Sequence, residues 1–99
     1  MSSNQPSAFV IGLITIRDPA KWAAYRDAVP ATLVPWGAQL LVRGKRFAVF
    51  AGAHAHGDTV VIRFPDRAAV EGWYASPAYQ ALIPLRQEAA DVVLVGYEE

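Results

Sequence analysis

An α+β fold built on one antiparallel sheet, with helices on a single face, is what this 99-residue sequence predicts. Two observations carry it. The elements alternate β-α-β-β-α-β, with apolar runs separated by strong helix-start and turn signals. The first, third and last strands are apolar on both faces rather than alternating, which is the pattern of strands buried on both sides. That order is the ferredoxin-like split βαβ plan, and right-handed crossovers place both helical segments on the same side of the sheet. The opposite face then needs a cover that the chain does not contain. The simplest cover is the same face of a second copy, which predicts a homodimer of stacked sheets.

The elements justify themselves in order. Residues Met1 to Ser7 are small and polar and read as a flexible tail, leaving 8–99 as a single domain. Ala8–Ile16 is the first strand. Asp18-Pro19 supplies an N-cap and a first-turn proline. The helix they start carries Trp22, Tyr25 and Val29 on one face, and Pro30 and Pro35 predict its end near Ala28, followed by a short helical turn. Trp36-Gly37 is a turn. Residues 39–43 and 47–51 are two short runs around Gly44-Lys45, read as either a tight hairpin or one long bent strand with a bulge. A polar loop, 52–58, holds both histidines, and residues 59–64 form the next strand.

The stretch from Trp73 to Arg86 is the densest in large aromatics. Asp66 caps a helix through Arg67, Val70 and Trp73. Ser76-Pro77 starts a second helix at a new angle, with Ser76 as N-cap and Pro77 at the first helical position. In that helix Ala78, Leu82, Leu85 and Ala89 share a face, and Tyr79, Ile83, Arg86 and Ala90 form the adjoining row. Pro84 predicts a kink or break. Asp91 opens a last turn into a strand over 92–97.

Composition narrows the function. Nine basic residues balance nine acidic ones, and the basic residues are scattered, which argues against nucleic acid or an anionic membrane as partner. Without cysteine there is no disulfide, thiolate metal site or cysteine nucleophile. No apolar run approaches the ~20 residues of a membrane helix, so a cytoplasmic location is expected by default. The 54% apolar content with three Trp is high for so short a chain, and that surplus must be hidden.

The chain resembles the small bacterial domain-of-unknown-function family 1330, in the dimeric α+β barrel superfamily. The likeness runs from Ala8 to Tyr97. It rests on Tyr25, Trp36-Gly37-Ala38, Leu41-Val42-Arg43-Gly44 and Val61-Ile62-Arg63-Phe64-Pro65. Above all it rests on Trp73-Tyr74-Ala75-Ser76-Pro77-Ala78-Tyr79-Gln80 with Leu85-Arg86. The resemblance implies a ferredoxin-like homodimer and no established reaction. Superfamily relatives include cofactor-free monooxygenases, isomerases, haem-handling enzymes and small-ligand sensors. Relatives often carry an acidic residue before the glycine that closes the second strand. Here that position is Ala51, so no acid–base role carries over to it.

Among candidate sites, His54, His56 and Asp58 form a His-x-His loop that a metal would find short of ligands. A solvated loop is the favoured reading, and neither metal nor cofactor is expected. Arg43-Gly44-Lys45-Arg46 reads as a charged hairpin tip that also protects a strand edge from pairing. The ligand-binding candidates are Arg86, Tyr79, Trp73, Arg43 and Tyr25. Arg86 leaves its helix on the inward flank and is costly to bury unpaired. It is expected to pair with a distant carboxylate, Glu71 or Asp91, to bond strand carbonyls, to snorkel to the surface, or to form an anion site walled by Tyr79 and Trp73, with Arg43 or Arg63 as a second cation. The expected function is binding of a small organic acid or aromatic ligand in a helix–sheet pocket. Cofactor-free catalysis and a non-catalytic sensing or structural role are the two forms this could take.

Overall fold

The computed structural model describes residues 6–99. Most of the expected tail therefore lies outside the described residues. Ser7 itself is engaged: its hydroxyl accepts from Arg63 Nη2 at 2.8 Å and its carbonyl accepts from the Glu99 backbone N–H at 3.0 Å.

Four strands, β1 (Ala8–Ile16), β2 (Gln39–Lys45), β3 (Asp58–Phe64) and β4 (Ala90–Glu98), form one antiparallel sheet in the order β2-β3-β1-β4. Helices α1 (Pro19–Leu33), α2 (Arg67–Ala75), α3 (Pro77–Gln80) and α4 (Ile83–Ala89) pack against one side of it. Alternation along the strands decides which residues meet them. Ala8, Val10, Ile62 and Phe64 face the helices and are buried with Tyr25, Leu33, Trp73 and Tyr79 in the main core. A second small cluster joins Ile14, Ala89 and Ala90. Phe9, Ile11, Leu13, Val61, Val93, Val95 and Tyr97 project the other way, in register across β3, β1 and β4, and all are half-buried or exposed. The two-sided apolar strands thus have one face covered by helices and one face bare within the chain.

The start signals act as their chemistry requires. Asp18, Asp66 and Ser76 each accept a hydrogen bond from the backbone N–H three residues on, at 3.1, 2.8 and 3.3 Å. Ser76 also donates to the Trp73 carbonyl at 2.6 Å, tying the end of α2 to the start of α3. Ser76→Ala is expected to lower stability by about 0.5–2 kcal/mol. An unchanged melting temperature would show that the cap contributes nothing.

Four expectations need correction. α1 does not end near Ala28 but runs through Pro30 to Leu33. A proline at this position leaves the carbonyl four residues earlier, that of Arg26, without its helical donor. Arg43 Nη2 approaches that oxygen at 3.5 Å from β2, so tertiary structure supplies the missing donor. Residues 47–51 form no strand: β2 is a single strand, with its register shift between Leu40 and Val42 rather than at Gly44-Lys45. The chain after it is an extended arm, with Arg46 bonded to the backbone of Gly57, His54 and His56. The helix after Ser76 breaks at Ala81-Leu82, and Pro84 starts α4 rather than bending it. The break changes the helical phase, so Ala78 is exposed instead of sharing the buried face of Ala89. Asp91 lies inside β4, which begins at Ala90 with no intervening turn.

Two glycines answer to geometry. Gly37 ends the 3-10 turn Val34–Trp36 at φ 65°, in the left-handed region where a side chain is strained. A Cβ on Gly72 would fall 2.4 Å from the Trp36 ring, so its absence makes room for that indole against α2.

Candidate functional site

Between α1 and the helix-facing side of the sheet lies a cavity of about 250 Å³. Its walls are apolar: Trp22, Tyr25 and Leu33 from α1, Val60 and Ile62 from β3, and Trp73 from α2. Arg26, Arg43, Lys45 and Asp58 form a charged rim. Lys45 pairs with Asp58 at 3.6 Å and Arg26 with Asp27 at 3.2 Å. Arg43 has no carboxylate partner among the described residues; its one recorded contact is the Arg26 carbonyl. The volume falls just below the ~300 Å³ at which ordinary ligand pockets begin, so the space suits a molecule of one or two rings.

A second, more open cleft of about 500 Å³ lies across Trp73, between α2, α4 and the sheet, and includes Tyr74, Glu71 and Arg86. Trp73, with Val92 and Leu94, lines both. It is 2% exposed, packs at a tilt on Tyr79 with ring centroids 4.3 Å apart, and donates from Nε1 to Thr32 Oγ1 at 3.0 Å. Thr32 in turn donates to the Val29 carbonyl at 2.6 Å. The indole is thereby held at both ends.

A hydrogen-bond chain joins the two spaces. Arg86 Nη1 donates to Tyr79 Oη at 2.8 Å, and Tyr79 Oη lies 2.8 Å from Tyr25 Oη. Tyr79 is 0% exposed and borders neither space. It reaches its place because Ser76 and Pro77 start α3 next to the end of α2, while the new start at Pro84 aims Arg86 back at the same hydroxyl. Burial, and then the neighbouring Tyr79 phenol, push the Tyr25 hydroxyl well above the ordinary phenol range, with Arg86 opposing only in part. Burial pulls the Arg86 guanidinium down, but its bonds and proximity to Tyr79, Tyr74 and Tyr25 outweigh that and leave it raised. Tyr25 is therefore a neutral phenol and Arg86 a cation at any physiological pH.

Of the five residues singled out from sequence, Tyr25, Tyr79, Trp73 and Arg86 come together in one contact network. Arg43 stands apart from them at the rim of the first cavity. Arg63 is elsewhere again, bonded to Ser7. The carboxylates expected as partners for Arg86 are taken: Glu71 pairs with Arg67 and Asp91 with Arg17, each at 3.2 Å. Among the described residues Arg86 is met by phenols and by no carboxylate: it donates to Tyr79, with Tyr74 beside it. Sequence reading missed Leu33 and Arg26 as cavity residues. Arg26 had a legible signal, since it sits four residues before a proline. His56 Nδ1 lies 3.0 Å from Thr15 Oγ1 and His54 Nδ1 accepts from the His56 backbone N–H at 3.3 Å, so both imidazoles are engaged locally. Among the described residues no three His, Asp or Glu side chains are grouped to hold a metal ion, and no helix is long and apolar enough to cross a membrane.

A four-stranded antiparallel sheet with helices on one face and a cavity beneath the first helix defines a ferredoxin-like α+β domain. The chain belongs to the family described as "Domain of unknown function (DUF1330)", which matches residues 7–98. Solved structures agree on the fold. The RPA0582 protein of unknown function from Rhodopseudomonas palustris superposes with a TM-score of 0.81 at 16% identity, over 97% of this chain and 84% of that one. A dimeric ferredoxin-like protein of unknown function from Jannaschia sp. CCS1 gives 0.77 at 10% identity, over 94% and 99%. SnoaB, a cofactor-independent oxygenase from Streptomyces nogalater, gives 0.65 at 11% identity, over 93% and 91%. No match was found among curated proteins. At these identities the likeness concerns the fold alone.

Proposed function

We propose that the protein acts as a homodimer that binds a small organic acid or aromatic compound in the cavity between α1 and the sheet. The observation that carries this reading is an apolar chamber whose rim holds an arginine, Arg43, with no carboxylate partner among the described residues. An aromatic body would rest on Trp22, Tyr25 and Trp73, and an acid group would meet the planar fork of Arg43, which suits a carboxylate. Arg86 and Tyr79 support the site from behind Tyr25. Cofactor-free catalysis and non-catalytic sensing are both compatible with such a chamber, and turnover of a bound compound separates them.

The dimer reading rests on the bare apolar sheet face and on the arm that follows β2. Phe47 and Phe50 on that arm are 89% and 86% exposed and pack edge-to-face on each other. His56 anchors the arm's base to Thr15, on the bare side of β1. Two such faces stacked about a two-fold axis would cover the apolar residues of both copies, with each arm reaching its partner. The described state of the Jannaschia neighbour accords with this.

The ligand reading is tested by thermal unfolding with benzoate, phenylacetate and indole-3-acetate at millimolar concentration. At least one acid should raise the melting temperature, as any ligand specific for the folded state must. Arg43→Gln should weaken that rise for the acid while leaving the rise given by its uncharged alcohol. No shift with any of these compounds in the unaltered protein would refute the reading.

A further inference from the structure

The two buried phenols leave one proton over. Tyr25 and Tyr79 carry two O–H donors, and the only acceptor recorded for either is the oxygen of the other. Arg86 does not relieve this, because a guanidinium only donates. One hydroxyl therefore donates to its neighbour, and the other has no acceptor among the described residues. Burial decides which. If Tyr25 donated, the spare proton would sit on Tyr79, which has no exposed surface and borders neither cavity. An orphaned buried donor there carries the full desolvation penalty. If Tyr79 donates, the spare proton sits on Tyr25, which at 7% exposed is the less buried of the two and is a residue that lines the cavity. The cation adds to this preference. Arg86 donates to the Tyr79 oxygen and polarises its O–H, so Tyr79 becomes the better donor and Tyr25 receives.

We infer that the chain Arg86 to Tyr79 to Tyr25 presents the Tyr25 hydroxyl as a one-way, cation-polarised donor inside the cavity, and that the cavity selects ligands with an oxyanion or enolisable oxygen on an apolar body. This rests on the cavity being the ligand site and adds the chemistry of its inner end. The class is a phenol or an enolisable ketone, held as its phenolate or enolate. Tyr25 keeps its own proton because burial and Tyr79 hold its phenol neutral, and the positive charge behind it stays with Arg86. A preorganised donor backed by a buried charge favours an oxygen as negative charge develops on it. The other hydroxyl lining the space, that of Thr59, already donates to the Gly12 carbonyl at 2.7 Å. The ionisable groups facing the space are Tyr25 and Arg26 on α1, Arg43 and Lys45 on β2, and Asp58 on β3. Tyr79 on α3 and Arg86 on α4 stand behind Tyr25, with Tyr74 on α2 beside Arg86.

The probe is 4-nitrophenol, whose phenolate absorbs visibly, with toluene as an apolar control followed by thermal unfolding. In the unaltered protein, bound 4-nitrophenol should ionise at least one pH unit below the free compound, an about tenfold preference for the phenolate. Tyr25→Phe should abolish that shift and keep the toluene response. Tyr79→Phe, which removes the relay but leaves the Tyr25 hydroxyl, should reduce it. Bound nitrophenol ionising at or above the free value while toluene binds would overturn the inference and leave the cavity reading intact. So would a shift that survives Tyr25→Phe and disappears in Arg43→Gln, since the oxyanion would then lie at the rim. If neither probe binds, the cavity reading fails and this inference with it.

Discussion

Trp73→Ala is expected to destabilise the protein by about 3–5 kcal/mol, the range for removing a buried tryptophan. The residue joins α1, α3 and the sheet. Its ring packs at a tilt against Tyr79, with centroids 4.3 Å apart, and against Phe64 on β3, with centroids 5.4 Å apart, and its Nε1–H bonds Thr32 on α1. Alanine would remove that packing, leave the Thr32 hydroxyl without its donor, and open the wall between the two cavities. A domain of this size has roughly 5–15 kcal/mol of net stability, so the variant should lose a large share of it. At about 4–8 °C per kcal/mol for domains up to ~100 residues, the melting temperature should fall by more than about 10 °C. Trp73→Phe keeps most of the volume and loses only the hydrogen bond and part of the stacking, so its fall should be clearly smaller. A drop of only a few degrees for Trp73→Ala would mean that the indole is not the keystone of the helical layer. The comparison needs only thermal unfolding followed by circular dichroism.

The second large effect concerns assembly. Ile11→Asp is expected to convert a dimer into a monomer while leaving the fold intact. Ile11 lies at the middle of the bare sheet face, with Val61 and Val95 directly opposite it on the two neighbouring strands. Within one chain a carboxylate there would be half-exposed and hydrated. At the centre of a two-sheet interface it would be desolvated and faced by its own symmetry mate, which costs several kcal/mol. A specific interface buries roughly 1,200 Å² or more, and a charge at its middle should dissociate it at micromolar concentration. Sedimentation should then give 10.8 kDa for the variant and twice that for the unaltered protein. If the unaltered protein already sediments as a monomer, or if Ile11→Asp leaves the dimer as it was, this face is not the interface.

How far the site could be read from sequence differs by residue. Tyr79 and Arg86 lie seven positions apart, and helical spacing put them on one flank despite the break at Ala81-Leu82. Their shared hydroxyl contact follows from that. The Tyr25 contact does not: 54 residues separate the two phenols, and no local rule pairs them. As a second cation for an Arg86 anion site, Arg43 is an arginine with no local tie to Arg86 in the sequence. The sheet order puts β2 at one edge and β4 at the other, so the two side chains serve different spaces. Pro30 was read as a stop because a proline removes a helical hydrogen bond. Local rules could not anticipate that β2 would bring Arg43 to the freed carbonyl. The run at 47–51 failed as a strand for a related reason. Its β-propensity is real, but β2 already occupies the sheet edge and no strand of this chain lies beyond it.

What the sequence by itself determined is everything that rests on neighbours along the chain. The βαββαβ order, the caps at Asp18, Asp66 and Ser76, the turn at Gly37 and the two apolar faces of β1 all follow from spacing, side-chain reach and backbone freedom over a few residues. Only the tertiary structure decided who partners whom across the layers. It assigned Glu71 and Asp91 to other arginines, so Arg86 met a phenol; it joined Tyr79 to Tyr25; and it enclosed an apolar space behind them. The physical reason is that long-range contacts are chosen by packing and by the cost of leaving a buried polar group unmet. Those terms are fixed only when the whole sheet and all its helices are in place.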